Sequence, residues 1–78
     1  MTEEEKSIIE SHARKLVPFD QDLKAVITRL MKLNDDLPPG NRGGDQLKDQ
    51  VRKLGYAREH VQRAMTYISE AVANNVVL

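Results

Sequence analysis

Two segments of this sequence carry apolar residues at alternating spacings of three and four, and a proline- and glycine-rich stretch separates them. This spacing lines the residues along one side of an α-helix, in a row that we call a seam, and it is typical of helices that pack side by side. The longer segment has Leu47, Val51, Leu54, Val61, Met65, Ile68 and Val72. The shorter segment has Leu23, Val26, Leu30, Leu33 and Leu37. The sequence therefore predicts an all-α fold built on an antiparallel helical hairpin.

Capping and helix-breaking residues set the expected boundaries. Thr2 and Glu5 form a T-x-x-E capping box at the start of a short first helix, which Pro18 is expected to end. Asp20 is a favourable N-cap for the second helix. We predict helices over about residues 3–16, 21–37 and 45–74 and a loop over 38–44. The short N-terminal helix is expected to pack across the hairpin.

The length and the absence of cysteine predict self-association. Seventy-eight residues form one domain, here residues 1–78, with a marginal core. Small domains usually gain stability from disulfides, metals or oligomerisation. The chain has no cysteine, and its two histidines are far apart in sequence. Oligomerisation remains, so we expect a homo-oligomer.

The charge balance and the N-terminal sequence restrict the partners and the compartment. Twelve basic residues balance twelve acidic ones, whereas binders of polymeric nucleic acid usually have a basic excess. The N-terminus has no apolar run after a positive region, and no segment approaches a membrane span. We expect a cytoplasmic protein that binds neither membranes nor polymeric nucleic acid.

Four side chains on the predicted third helix form the main candidate binding surface. Tyr56, His60, Arg63 and Tyr67 are spaced four, three and four, so they share a narrow strip opposite the seam. We call it the aromatic strip. Rings and a guanidinium on one face could stack a base and pair with a phosphate. The same residue types are also enriched in protein–protein interfaces, so both interpretations remain open.

Arg58 interrupts the seam of the third helix. A guanidinium there is costly unless it is paired or reaches a polar opening. It could pair with Asp35 or Asp36 of the second helix, or reach solvent. Alternatively, it could line an anion pocket. From the seam alone, Arg58→Leu is expected to stabilise the fold.

Small residues beside the seam, and the loop, offer two further interpretations. Ala57, Ala64 and Ala71 recur every seven residues and could admit a second helix closely, or could reflect only the helix propensity of alanine. With homo-oligomerisation in view, we expect the alanine side and the aromatic strip to form the contacts between copies. The glycine-rich loop carries Arg42 before a helix N-terminus, which favours anions, although a simple turn is the alternative.

No catalytic pattern is present in the sequence. It contains no cysteine nucleophile, no nucleophile elbow, no H-E-x-x-H metal motif and no Walker motif. We therefore expect a protein that is not an enzyme and needs no metal or other cofactor.

Residues 61–74, VQRAMTYISEAVAN, resemble a known family. They are similar to the helical-hairpin domain of phage anti-CBASS and anti-Thoeris sponge proteins, whose second helix has a pattern close to L-x-x-A-M-x-W-x-x-x-A-I-A. Val61 takes the leucine position, Ala64 and Met65 match, and Tyr67 stands in place of tryptophan. The short first helix and the leucine-rich helix before a Leu-Pro turn are also similar.

The resemblance implies a phage immune-evasion protein that sequesters a signalling molecule without cleaving it. The ligand would be a cyclic oligonucleotide or a cyclic ADP-ribose-type molecule, bound between protomers in the cytoplasm of a bacterial host. We expect such a ligand to contact Arg42, Tyr56, Arg58, His60, Arg63 and Tyr67. The alternative function is a helical protein-interaction module that binds a host protein.

Overall fold

The computed structural model describes residues 1–40 and 43–74, and at Gly43 the backbone alone. In these ranges the structure contains helices and no strand, which confirms the predicted all-α class. The helices are α1 (Glu3–Arg14), α2 (Leu16–Asp35) and α3 (Gly43–Ala73). None of them combines the length and the apolar character that crossing a lipid bilayer would require.

The capping box at the start of α1 is present as predicted. The Glu5 N–H donates to Thr2 Oγ1 at 3.1 Å, and the Thr2 N–H donates to Glu5 Oε1 at 2.8 Å. These two bonds satisfy N–H groups that have no partner within the helix. The helix ends at Arg14, slightly before the predicted boundary at residue 16.

Pro18 does not separate the first two helices, which corrects the predicted boundary. The second helix begins at Leu16 rather than at residue 21, and its N-cap is Lys15 rather than Asp20. Lys15 keeps helical backbone angles, with φ −73° and ψ −17°. Pro18 is the third residue of α2, in the first turn, where an N–H group has no intrahelical acceptor. Proline is therefore tolerated there. The helix is interrupted at Lys15, but α2 continues in about the same direction as α1.

The first helix extends α2 along α3 instead of lying across the hairpin, which corrects the second expectation. Twelve residues of α-helix are about 18 Å long, whereas the two shorter extents of the molecule are 15 and 13 Å. The longest extent is 60 Å. The molecule is therefore a rod two helices wide, in which α1 and α2 form one arm and α3 forms the other.

The interface between the arms confirms the seam of α3 and corrects that of α2. Every predicted apolar seam residue of α3 is buried or half-buried. On α2, however, Val26 and Leu33 are 40% and 46% exposed. Their places are taken by Ile27 and Asn34. The half-buried seam of α2 comprises Leu16, Asp20, Leu23, Ile27, Leu30 and Asn34, and Leu37 continues it two residues beyond the helix end.

In the connection between the two arms, residue 40 has a backbone conformation that favours glycine. Gly40 has a φ of +84°, in the left-handed region that side chains disfavour. The third helix begins at Gly43 and ends at Ala73 rather than spanning 45–74, and α2 ends at Asp35. Near the turn, Leu47 is 8% exposed and is the only buried apolar side chain of the described residues.

Candidate functional site

The aromatic strip lies on the exposed side of α3. All four of its residues are exposed, with Tyr56 at 56% and Tyr67 at 68%. Because the seam of α3 faces α2, the strip points away from the other arm of the rod. Two tyrosine rings, an imidazole and a guanidinium are therefore available to a partner that approaches α3 from solvent.

Carboxylates accompany the cation of the strip. Arg63 Nη2 donates to Glu59 Oε1 at 2.8 Å, one helical turn away. A shallow groove beside the strip is lined by Glu59, Gln62, Arg63, Thr66, Tyr67 and Glu70. The two glutamates oppose the charge of Arg63 and weaken its attraction for an anion. Sequence reasoning missed them, although the four-residue spacing of Glu59 and Arg63 is the signal for such a pair.

Arg58 faces the other arm and not the strip. Its Nε donates to Asp20 Oδ1 at 3.0 Å, and the two side chains are 30% and 13% exposed. The predicted partners Asp35 and Asp36 are wrong, because they lie at the opposite end of α2. The sequence predicts Asp20 as a helix cap, yet Asp20 lies three residues before Leu23 and belongs to the seam.

Of the six predicted ligand residues, four share one surface. Arg58 lies between the arms, on the far side of α3 from the aromatic strip. Arg42 is outside the described residues. The strip is thus the part of the predicted site that the structure brings together.

The small residues of α3 differ in how far the chain itself covers them. Ala57 and Ala64 are half-buried beside the seam, and Ala71 is exposed. A Cβ atom on Gly55 would meet no atom within 4 Å. Close packing against Gly55 is therefore not found within one chain.

A charged cluster occupies the N-terminal half of α3. Asp49 pairs with Arg52 and with Lys53, whose Nζ is 2.9 Å from Asp49 Oδ2. The hydrogen bond from Lys53, followed by that from Arg52, lowers the pKa of Asp49 below its usual value. The cluster has two cations and one carboxylate, and Asp49 already occupies the position between the two cations that an anion would take.

A second groove is apolar and lies where α1 meets the C-terminal part of α3. Its α3 wall is formed by Met65, Ile68 and Val72, and its other wall includes Ala13 and Val17. Among residues 1–40 and 43–74, no group of three His, Cys, Asp or Glu side chains is placed to hold a metal ion. The described residues thus present two grooves and one exposed aromatic strip as surfaces for binding.

Comparisons with protein-family models, with curated proteins and with solved structures each found no match.

Proposed function

We propose that this chain is a non-enzymatic helical interaction module that acts as an assembly of copies and presents the aromatic strip to a protein partner. The exposure of Tyr56 and Tyr67 carries the proposal. Tyrosine and arginine supply much of the binding energy in protein interfaces, where their large side chains lose water. The aromatic strip therefore has the side chains that a protein-binding surface needs.

The charges around the strip favour a protein partner over a nucleotide. Glu59 and Glu70 lie beside Arg63, and Arg58 is held by Asp20. A dianionic ligand needs unpaired guanidinium groups, since each phosphate is bound best by a two-pronged donor. A protein partner with both signs of charge matches Glu59, Arg63 and Glu70 together.

The nucleotide sponge is the second candidate, and the order of side chains along the strip supports it. The rings of Tyr56 and His60 precede the guanidinium of Arg63, and the ring of Tyr67 follows it, over about three helical turns. Bases stack on aromatic side chains without regard to sequence. In this function the ligand lies between two protomers, and Arg63 exchanges Glu59 for a phosphate.

Photo-crosslinking in the native cell tests the protein-interaction module. A benzophenone amino acid replaces Tyr67 in one variant and Lys24, an exposed residue of α2, in the control. We expect a discrete adduct with a second polypeptide from position 67 and none from position 24. Equal labelling from both positions, or none from either, would contradict a protein partner at the strip.

A thermal-shift panel tests the sponge separately. It includes cyclic dinucleotides, cyclic trinucleotides and cyclic ADP-ribose isomers. A ligand at 100 times its Kd adds about 2.7 kcal/mol to the free energy of unfolding. Arg63→Ala should weaken binding by about 1.5–3 kcal/mol, whereas Glu59→Gln should strengthen it by freeing Arg63. A panel without any shift would rule out these ligands.

A further inference from the structure

A row of apolar side chains on α2 is not covered by the other arm of the rod. Phe19, Val26 and Leu33 are 48%, 40% and 46% exposed. They recur every seven residues, and each directly precedes a half-buried seam residue. We call them the outer stripe. Seven-residue spacing keeps side chains on one face of a helix, so the outer stripe is a second packing face of α2.

Charged residues with the same spacing border the outer stripe. They alternate in sign along α2 and comprise Lys15, Asp22, Arg29 and Asp36. All four are exposed. None of them forms an ion pair with another residue of the ranges 1–40 and 43–74.

The order of these residues is complementary to itself when reversed. If a second α2 lies antiparallel with Val26 facing Val26, then Phe19 of each copy meets Leu33 of the other. In the same arrangement Asp22 meets Arg29, and Lys15 meets Asp36, twice each by symmetry. In a parallel two-fold arrangement the charged flanks of the two copies would instead lie on opposite sides of the interface, so these charges would not meet one another.

The chain exposes more than enough surface for such a pairing. The chain exposes 6152 Å², whereas a compact monomer of its mass, 8.9 kDa, exposes about 4,800 Å². The excess is about 1,300 Å², and a stable interface buries roughly 800 Å² on each partner. With no net charge, two copies do not repel each other at long range.

Small side chains on α3 leave room on the side of the rod that carries the outer stripe. Ala57 and Ala64 directly precede seam residues of α3, as the outer stripe does on α2. In an antiparallel helix pair, positions with this relation to the two seams lie on the same side. Short side chains there let the second copy approach both arms.

We propose that two copies of this chain form an antiparallel dimer through the outer stripe of α2, with Val26 at the two-fold axis and reciprocal Asp22–Arg29 pairs beside it. The inference rests on the assembly of copies named in the proposed function. It places the contact between copies on α2 instead of on the aromatic strip.

Charge reversal tests the pairing, with sedimentation of the full chain as the measurement. The unaltered chain should sediment at twice its 8.9 kDa mass at micromolar concentration. Asp22→Arg and Arg29→Asp should each raise the dimer Kd by roughly tenfold or more, because like charges then face each other. An equimolar mixture of the two variants should dimerise, since both contacts between positions 22 and 29 become complementary. The variant with both changes should also dimerise with itself.

Two controls separate this face from other causes. Lys24→Asp makes the same change of charge as Arg29→Asp, on an exposed part of α2 away from the outer stripe, and should leave the dimer intact. Val26→Cys should give a disulfide-linked dimer on oxidation, and Lys24→Cys should not, in a chain that has no cysteine of its own.

The outcomes distinguish this inference from the proposed function. A monomeric unaltered chain overturns both the dimer and the assembly. An oligomer that neither charge reversal weakens, or a mixture that fails to restore what the single variants lose, overturns the antiparallel face and leaves the assembly standing. Restoration in the mixture also excludes misfolding as the cause of the single-variant losses.

Discussion

At the scale of single residues, the pair between Arg58 and Asp20 decides how the arms are aligned. The Asp20 carboxylate is largely covered by protein, so it depends on the guanidinium to replace the water that it has lost. The seam by itself predicts that a leucine at position 58 is favourable. The structure reverses that expectation, because the leucine would leave Asp20 without its partner.

We therefore expect Arg58→Leu to lower the free energy of unfolding by about 1–2 kcal/mol, a value reduced for the partial exposure of the pair. Asp20→Leu combined with Arg58→Leu should restore the stability of the unaltered chain or exceed it, since two apolar residues then pack in the seam. Urea denaturation at one fixed protein concentration measures both. A single variant that is more stable than the unaltered chain would show that the pair is not structural.

Glu5 gives the first helix a dependence on pH. The hydrogen bond from the Thr2 backbone N–H, and then that from its hydroxyl, lower the pKa of Glu5 below its ordinary 4.5. A lowered pKa means that the carboxylate stabilises the folded state above that value and that this contribution is lost as the pH falls through the folded pKa. We expect α1 to fray in acid. Amide resonances of its first turn, followed as the pH is lowered, measure this effect. Thr2→Ala should cost about 1 kcal/mol at neutral pH and should weaken this dependence.

At the scale of the helices, the sequence predicted the elements better than their faces. Both long helices and the turn follow from apolar spacing and from Pro38 and Gly40. The face of α2 could not be predicted, because Val26 and Leu33 fit the three-and-four spacing as well as Ile27 and Asn34 do. Only the position of the partner helix, fixed in part by Arg58, selects between them.

The break between α1 and α2 and the partner of Arg58 show the same limit. Pro18 reads as a helix end when it is considered alone, and it is tolerated because Lys15 stays helical and places Pro18 in a first turn. The spacing of the aromatic strip did predict its shared exposed face. The pairing of Arg58 with Asp20 is a contact between distant parts of the chain, and helical spacing carries no information about it.

Gly55 provides a test of packing against α3. A methyl group at this position meets no atom within 4 Å, and alanine is a better helix former than glycine. We expect Gly55→Ala to raise the free energy of unfolding by about 0.5–1 kcal/mol. Ala25→Gly, on an exposed face of α2, is the reverse change and should lower it by a similar amount. Loss of stability in Gly55→Ala would place a second helix against Gly55.

At the scale of the whole molecule, one chain has little interior. Its radius of gyration is 17.8 Å, whereas a compact domain of this length has about 11.5 Å. A rod two helices wide leaves one side of each helix in water, and its apolar side chains gain little from folding alone. We therefore expect the stability to depend on how many copies are present.

We accordingly expect the thermal midpoint to rise with protein concentration. For a chain that unfolds from a dimer, each tenfold increase in concentration adds about 1.4 kcal/mol to the apparent stability. A domain of this size shifts by roughly 4–8 °C per kcal/mol. Calorimetry over two decades of concentration measures the effect. A constant midpoint would identify a self-sufficient monomer.

The position of Leu47 beside the turn has a consequence for the order in which the rod folds. Contacts near Gly40 close the shortest loops between the arms and cost the least chain entropy, whereas those between α1 and the end of α3 close the longest. Folding should therefore start at the turn, and contacts between the arms should then form progressively toward the chain ends. In native-state hydrogen exchange, amides around Leu47 should exchange last and those of α1 first, so that the rod is graded in rigidity from one end to the other.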